Sequence, residues 1–561
     1  MNIPDFSGKP RLIWYFSLIV ALIIGCQGQI EETIEAPAQI HPSTVEVQPT
    51  SVPTEKLAPT DVPTPAATPI PYQTPDWFQN AVLYEIFVRS FADSNGDGTG
   101  DLKGIIERLD YLDCMHVDVI WLLPIYPSPS VHGYDVENYF DINPDYGTLT
   151  DLEELVEAAH ERDIRVILDF VPSHLSNKNP LFEDAYQNPK SEYSDWFVWT
   201  NDAHTTYAGF ADNRDMPRFN HFNPEVVNYL VEAALFWLDL DSDGDYTDGV
   251  DGFRVDNVTF PPEEFLRTFR QGVKAANPNA LILGEAWLSS PSDLSRFFED
   301  KFDALFDFPL YQLLQGDQNF NGDGLLAGRT FPVLLTTLLE QEAESYPEEG
   351  MVVRFLSNHD TNRIATELAG DRDRQKMAAA LLASLPGPVM VYYGEEIGMF
   401  GQKGGAPYWD NYRREPMDWY ADEIGDDQTE WFKPEDRWNR PDDGISVEEQ
   451  ETDPESVLSY YCHVLNLRYN VGFIGSDFEI LDLDVSSSGP WGFLRKSEHG
   501  LIIALYNFSD EERQVTIPEP SVSIQDPIDM LTGESYPPLE IGRPYKITMV
   551  AAKALWLSEK E

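Results

Sequence analysis

The 561-residue sequence predicts an α/β fold: an eight-stranded parallel (β/α)8 TIM barrel, with an excursion after its third strand and an antiparallel all-β domain behind it. Three observations predict this. Eight short apolar runs alternate with amphipathic helical stretches, one long interval interrupts the rhythm, and near Gly472 the alternation gives way to β-rich runs separated by turns.

The strand-like runs begin after Trp77 and are Ala81–Val88, Val117–Leu123, Ile164–Phe170, Gly252–Asp256, Leu281–Glu285, Ala304–Asp307, Val352–Leu356 and Val389–Tyr393. Helical stretches such as Leu152–Arg162, Val226–Leu238, Glu263–Ala275 and Arg372–Leu385 separate most of them, as crossovers between parallel strands require. A doubly wound open sheet shares this pattern, so closure is an expectation. Residues 171–223 break the rhythm. Their Trp196, Trp199, Phe210 and Phe219 predict an excursion packed against the barrel rather than a free loop. The barrel unit is therefore read as 75–471, and 472–561, with runs such as Leu501–Phe508 and Arg513–Ile517, as the β domain.

The N-terminus is of another kind. Lys9 and Arg11 precede an apolar run from Leu12 to Gly25 that is short for a membrane span, and Ile23-Ile24-Gly25-Cys26 resembles the lipobox of bacterial lipoprotein signal peptides. Residues 1–26 are read as such a signal, with Cys26 as the lipidated residue; an uncleaved membrane anchor is the alternative. Residues 27–74 are rich in Pro, Thr, Ala and Glu, as in Pro59-Thr60-Asp61-Val62-Pro63-Thr64-Pro65, and are too poor in apolar surface to build a core. They read as a tether. The implied localisation is exported, on the cell surface or in the periplasm, with the membrane as partner through the lipid.

With 96 acidic against 38 basic residues the formal charge is −58, which repels a nucleic-acid backbone and favours a neutral substrate. A saline habitat would also fit that acidity. Three cysteines cannot form a disulfide framework, so Cys114 and Cys462 are expected to be plain buried thiols.

Carboxylates stand at the predicted C-terminal strand ends. In Gly252-Phe253-Arg254-Val255-Asp256, alternation puts Arg254 and Asp256 on one face, where the guanidinium should keep the acid ionised; a buried ion pair would look the same. Glu285 ends a strand in Ile282-Leu283-Gly284-Glu285-Ala286-Trp287, among apolar groups that should raise its pKa toward that of a proton donor. Asp360 follows Asn358-His359, and Asp169 and His174 flank the end of the third strand. Barrel enzymes work on that face.

Together Gly252–Asp256, Gly284–Trp287, Asn358–Asp360 and Asp169–His174 resemble the four motif regions of the α-amylase family, glycoside hydrolase family 13. The similarity extends to Gly133-Tyr134-Asp135-Val136, Met216–Asn220 and Tyr392–Met399, covering roughly residues 76 to 470. It implies that the excursion is the family's domain B and the C-terminal unit its β-sandwich. It also implies a retaining α-glycoside hydrolase acting on α-linked oligo- or polysaccharides such as starch, without an organic cofactor. Asp256 would be the nucleophile, Glu285 the general acid/base and Asp360 the stabiliser of an oxocarbenium-like transition state, with the reacting pair about 5–5.5 Å apart. His174, His359, Arg254, Tyr134 and Asp135 would bind the sugar or position the acids. An exo-acting α-glucosidase, an α-glucan transglycosylase, or a barrel serving only as a binding or structural subunit are the other readings.

Two positions depart from the family pattern. Ser173 stands where an Asn often ligates calcium between barrel and domain B, so that site is not carried over. Asn257, Thr259 and Phe260 follow the nucleophile without the usual Lys-His pair, which leaves α-1,4 against α-1,6 preference open. Elsewhere, Asp93, Asn95, Asp97, Thr99 and Asp101 alternate with glycines in the manner of a calcium loop, Thr99 offering its carbonyl; an acidic turn capping the next helix is the rival. A looser run, Asp239, Asp241, Asp243 and Asp245, is a second calcium candidate against a solvated turn.

Overall fold

The computed structural model describes residues 74–560 apart from 299, 317–322, 472–476, 484–488 and 498–499. The expected export signal, Cys26 and the expected tether up to residue 73 lie outside the described residues, and no described helix is long and apolar enough to cross a membrane.

Eight parallel strands close into a barrel: β1 (Val82–Ile86), β2 (Val119–Leu122), β3 (Arg165–Phe170), β6 (Gly252–Val255), β7 (Leu281–Gly284), β8 (Ala304–Phe306), β9 (Met351–Phe355) and β10 (Val389–Tyr392). Between β3 and β6 lies the hairpin β4 (Gly209–Phe210) and β5 (Asn213–Pro217). Pairing of Val82 with Val389 and Glu85 with Tyr392 joins the first strand to the last, which removes the open sheet. All eight expected strands are present, with ends shifted by one or two residues. They are buried nearly throughout, because helices cover the outside and side chains fill the inside. Helix Leu149–His160 shows how the sequence sets that cover. Thr148 and Asp151 form a reciprocal capping box, and Leu152, Leu155, Val156 and Ala159 make one buried stripe.

The excursion folds around its own aromatics. Phe182 meets Phe197, Trp199 and Tyr207 at ring distances of 5.0, 5.6 and 4.8 Å, and bridges His174 to Arg218 and Phe197 to Phe219 tie its two ends together. Trp196 and Phe219 are buried as expected, whereas Phe210 leans from the hairpin onto His174 and Phe260.

The C-terminal domain contains a five-stranded antiparallel sheet, ordered β11 (Asp477–Ile480), β12 (Trp491–Ser497), β13 (Gly500–Asn507), β17 (Lys553–Glu559) and β15 (Pro527–Asp529). Strands β14 (Arg513–Ile517) and β16 (Tyr545–Met549) form a second layer. Alternation splits the large sheet. Leu494, Ile503, Leu505, Leu555 and Leu557 face the second layer, while Phe493, Ala504, Tyr506 and Trp556 join the barrel core. Tyr506 fastens that seam at 2.6 Å from the Ser384 hydroxyl, at the end of helix Arg372–Ser384.

One expectation fails. Cys114 and Cys462 are not free thiols but a disulfide, with Cα atoms 5.0 Å apart across 348 positions of sequence. Neither is fully buried, and Cys114 is exposed. The physical reason is barrel closure. The 3-10 helix Leu109–Met115, which follows the first strand, packs beside Val457–Val471, the last helix of the barrel unit. Spacing in a chain says nothing about such a meeting.

Candidate active site

Arg254 is the hub of the site. Its guanidinium is 1% exposed and rests 5.2 Å above Trp121 at the barrel's centre. Nη1 donates to both oxygens of Asp169 at 2.9 and 3.0 Å and to Asp256 Oδ1 at 3.0 Å, while Nη2 lies 2.7 Å from Glu285 Oε1. Strand alternation delivers this geometry, since Arg254 and Asp256 sit two residues apart on β6 and its end, between Asp169 on β3 and Glu285 past β7. Gly252 opens the strand at φ +145°, where a Cβ would fall 2.2 Å from the Leu281 carbonyl oxygen. Glu285 Oε2 accepts the Asn257 backbone N–H at 3.0 Å. Asp256 Oδ2 is buried without a hydrogen-bond partner.

A second chain of contacts reaches Asp360. His359 is fully buried, with Nδ1 2.6 Å from Glu85 Oε1 and Nε2 2.7 Å from the Tyr134 hydroxyl, which lies 2.9 Å from Asp169 Oδ2. One proton assignment satisfies every partner: Glu85 donates to Nδ1, Nε2–H to Tyr134, and the Tyr134 hydroxyl to Asp169. Burial favours that assignment, raising Glu85 well above the usual carboxyl range and lowering His359 well below its own. Asp360 Oδ1 accepts from Arg414 Nη2 at 2.9 Å, and Arg413 Nη1 reaches the Asp360 carbonyl oxygen at 2.6 Å. The Asp360 side chain is 38% exposed, whereas those of Asp256 and Glu285 are at most 10% exposed. Burial acts to raise Asp360 and His359 would oppose it only as an imidazolium; with the ring neutral, Arg414, Arg254 and Arg413 hold the carboxyl below the usual range.

Arg254 sits beside Asp256 as expected, but it does not hold the acid's pKa down. Asp169, Asp256 and Glu285 are each pushed up to about 7, first by burial and against the pull of Arg254. One guanidinium shared among three carboxylates cannot offset the loss of water around all of them. The raised pKa expected for Glu285 is found.

A family model described as the catalytic domain of alpha amylase matches residues 85–475. Alpha-amylase 3 of Dictyoglomus thermophilum is 34% identical over 418 residues, 71% of this chain and 78% of that protein. This chain belongs to the α-amylase family. Its members are glycoside hydrolases, and the fold agrees: the α-amylase of H. orenii superposes with a TM-score of 0.73 at 31% identity, over 86% of this chain and all of that one. A trehalose synthase/amylase of Mycobacterium tuberculosis is 31% identical over 421 residues, 62% of this chain and 67% of that protein, so the family holds more than one activity at this distance.

Other residues singled out from the sequence of this α-amylase family enzyme divide into two groups. His174 lies against Phe210 with Nδ1 2.7 Å from the Ser173 hydroxyl and Nε2 unpartnered, and burial lowers it to about 3, so the ring is neutral. Ser173 is therefore committed to His174. Asp135 stands apart from the acids, since its Oδ1 accepts from the Ser128 and Ser130 hydroxyls and so braces the loop carrying Tyr134. The sequence reading missed Glu85, Arg413 and Arg414. A lone charge inside the apolar run Tyr84-Glu85-Ile86 was the signal for the first; the arginines carried none.

Around the Asp93 loop, alternate side chains hold the backbone in successive turns. Asp93 Oδ1 accepts from Asn95 and Gly96 N–H at 3.0 and 2.7 Å, Asn95 Oδ1 from Asp97 N–H, and Asp97 Oδ1 from Thr99 N–H, both at 2.9 Å. Asp101 Oδ1 caps helix Leu102–Glu107 through Gly104 N–H at 2.7 Å. In the second run Asp239 and Asp241 gather with Asp248, oxygens within 4.8 Å, the one such set among the described residues. Asp243 and Asp245 instead take backbone N–H groups of their own turn.

Proposed function

We propose that the enzyme is a retaining α-glucan hydrolase of the α-amylase type, with Asp256 as nucleophile, Glu285 as general acid/base and Asp360 as transition-state stabiliser. The observation that carries this reading is the state of Asp256, which has one oxygen held by Arg254 and the other buried with nothing bonded to it. A nucleophile needs both restraint and a free lone pair.

The division of protons follows from repulsion. Asp256 acts to raise Glu285 and Asp360 acts to raise both, so one ionises while the other keeps a proton. In the first step Asp256 Oδ2 bonds to the anomeric carbon as the glycosidic C–O bond breaks, and Glu285 gives its proton to the departing oxygen. In the second, Glu285 takes a proton from water, whose oxygen bonds to the same carbon and frees Asp256. Asp360, ionised and facing the cleft, stabilises the positive charge that develops on the ring in each step.

Incubation with starch, pullulan, maltose and isomaltose, with products read by NMR before mutarotation, tests the proposal. α-Configured products are expected, and β products would overturn it. The same run separates endo hydrolysis from an exo-acting α-glucosidase or a transglycosylase, which would release glucose alone or build new linkages. The name of the Mycobacterium tuberculosis relative makes transfer the reading to watch. The pH dependence gives a second check. Glu285 must enter protonated, so kcat/KM is expected to fall as pH rises past about 7. A plateau running to pH 9 would remove Glu285 as the acid.

Calcium at the Asp93 loop belongs to the same proposal. Asp93 and Asp101 are buried and Asn95 and Asp97 exposed, a set of hard oxygens suited to Ca2+ and able to brace the β1 connection. Dialysis against EGTA is expected to lower the melting temperature, with recovery on adding calcium; no shift would leave only the helix-capping turn. Export as a lipoprotein anchored through Cys26 is also proposed. The Cys114–Cys462 disulfide supports it, since such bonds persist in oxidising compartments. Labelled-glycerol or palmitate incorporation, lost in Cys26→Ser, is the measurement.

A further inference from the structure

Beyond β10 the chain runs through Gly404-Gly405-Ala406-Pro407-Tyr408-Trp409 into the 3-10 helix Trp409–Arg413. Three facts about Trp409 need a common cause. Its side chain is 52% exposed, although indole is among the costliest surfaces to leave in water. It has no ring contact and no partner for its N–H, unlike Tyr408, which packs on Phe432 at 5.2 Å and Tyr412 at 6.0 Å. Its backbone has φ +43°, a conformation that glycine or asparagine adopts at least cost. The turn itself is secured by Gly404 N–H to the Trp409 carbonyl at 2.9 Å and Trp409 N–H to the Gly405 carbonyl at 3.0 Å, so the indole is not needed to close it. A bulky ring kept in a strained, exposed position points to something it meets.

The loop's anchorage says where. Arg413 Nη1 joins the Asp360 carbonyl oxygen at 2.6 Å to Asp410 Oδ1 at 2.8 Å, and Lys403 Nζ lies 3.8 Å from the same Asp410 oxygen. Lys403 is exposed and Asp410 partly so. The loop that carries Trp409 is therefore tied to Asp360 at the edge of the cleft.

We propose that Trp409, rimmed by Lys403 and Asp410, forms an outer glucan subsite on the Asp360 side of the cleft, beyond the reacting ring. It rests on the α-glucan reading given above. One face of an α-linked glucose presents C–H groups and its edges present hydroxyls, so a flat indole flanked by an ammonium and a carboxylate matches it in both respects. The N–H of Trp409 is left free to reach a hydroxyl.

The test measures binding and turnover in the full-length protein. In the Asp256→Asn background, calorimetric titration with maltose and maltohexaose is expected to show that Trp409→Ala weakens the hexaose roughly five- to tenfold more than the disaccharide, with Trp409→Phe recovering most of it. In the otherwise native enzyme the same chain-length dependence should appear in KM more than in kcat. An equal penalty at both lengths, or none at either, overturns the subsite. If Trp409-dependent binding persists while the native enzyme turns over no α-glucan, the subsite stands and the catalytic reading falls.

Discussion

Asp256→Asn is expected to reduce turnover of α-glucans by about 10^4-fold or more while leaving the protein folded. The activity loss follows from removal of the buried, unpartnered oxygen that forms the covalent bond. The fold survives because the amide keeps the carboxylate's shape and Arg254 retains Asp169 and Glu285 as partners. A sharper form of the experiment uses Asp256→Gly with an aryl α-glucoside of good leaving ability and added azide. Azide can enter the space vacated by the carboxylate and attack the anomeric carbon from the same side, giving a β-glycosyl azide. Unreduced turnover by the Asn variant, or an α azide product from the Gly variant, would remove Asp256 as nucleophile.

The largest effect on stability is expected at the disulfide. Reduction, or the pair of changes Cys114→Ser and Cys462→Ser, should destabilise the enzyme by about 2–5 kcal/mol and lower its melting temperature by several degrees. The bond closes a loop of 348 positions, so the chain-entropy account puts its contribution toward the upper end of that range. Cys114 is exposed, which gives dithiothreitol access to it in the folded protein. Scanning calorimetry with and without reductant, and of the double variant, measures this. An unchanged transition would mean that packing of the first and last barrel segments holds them together without the bond.

These two residue sets show what could be read from the chain and what could not. Asp256, Glu285 and Asp360 were legible because strand periodicity, strand ends and local motifs are all short-range properties. The eight barrel strands were legible for the same reason. Glu85 meeting His359, Arg414 meeting Asp360 and Cys114 meeting Cys462 are products of closure, which brings residues some 50 to 350 positions apart into contact. The sharing of Arg254 among three acids belongs there too. A sequence shows Arg254 two places from Asp256, but only the closed barrel adds Asp169 and Glu285, and their company reverses the expected direction of the Asp256 shift. At the second acidic run, Asp239 and Asp241 were visible by spacing, whereas Asp248 joins them through the turn that Asp243 and Asp245 fold.

The cysteine pair also constrains how the polypeptide matures. Cys114 leaves the ribosome well before Cys462, and during that interval the single other thiol within reach is Cys26. A premature 26–114 bond would occupy the partner that Cys462 needs. If Cys26 is capped by lipid, as proposed, the odd thiol is withdrawn and the remaining two have one possible pairing, so oxidation needs no editing. Lipid attachment and correct oxidation would then be successive steps of one assembly order, with the anchor residue acting as a gatekeeper for the bond that joins the ends of the barrel.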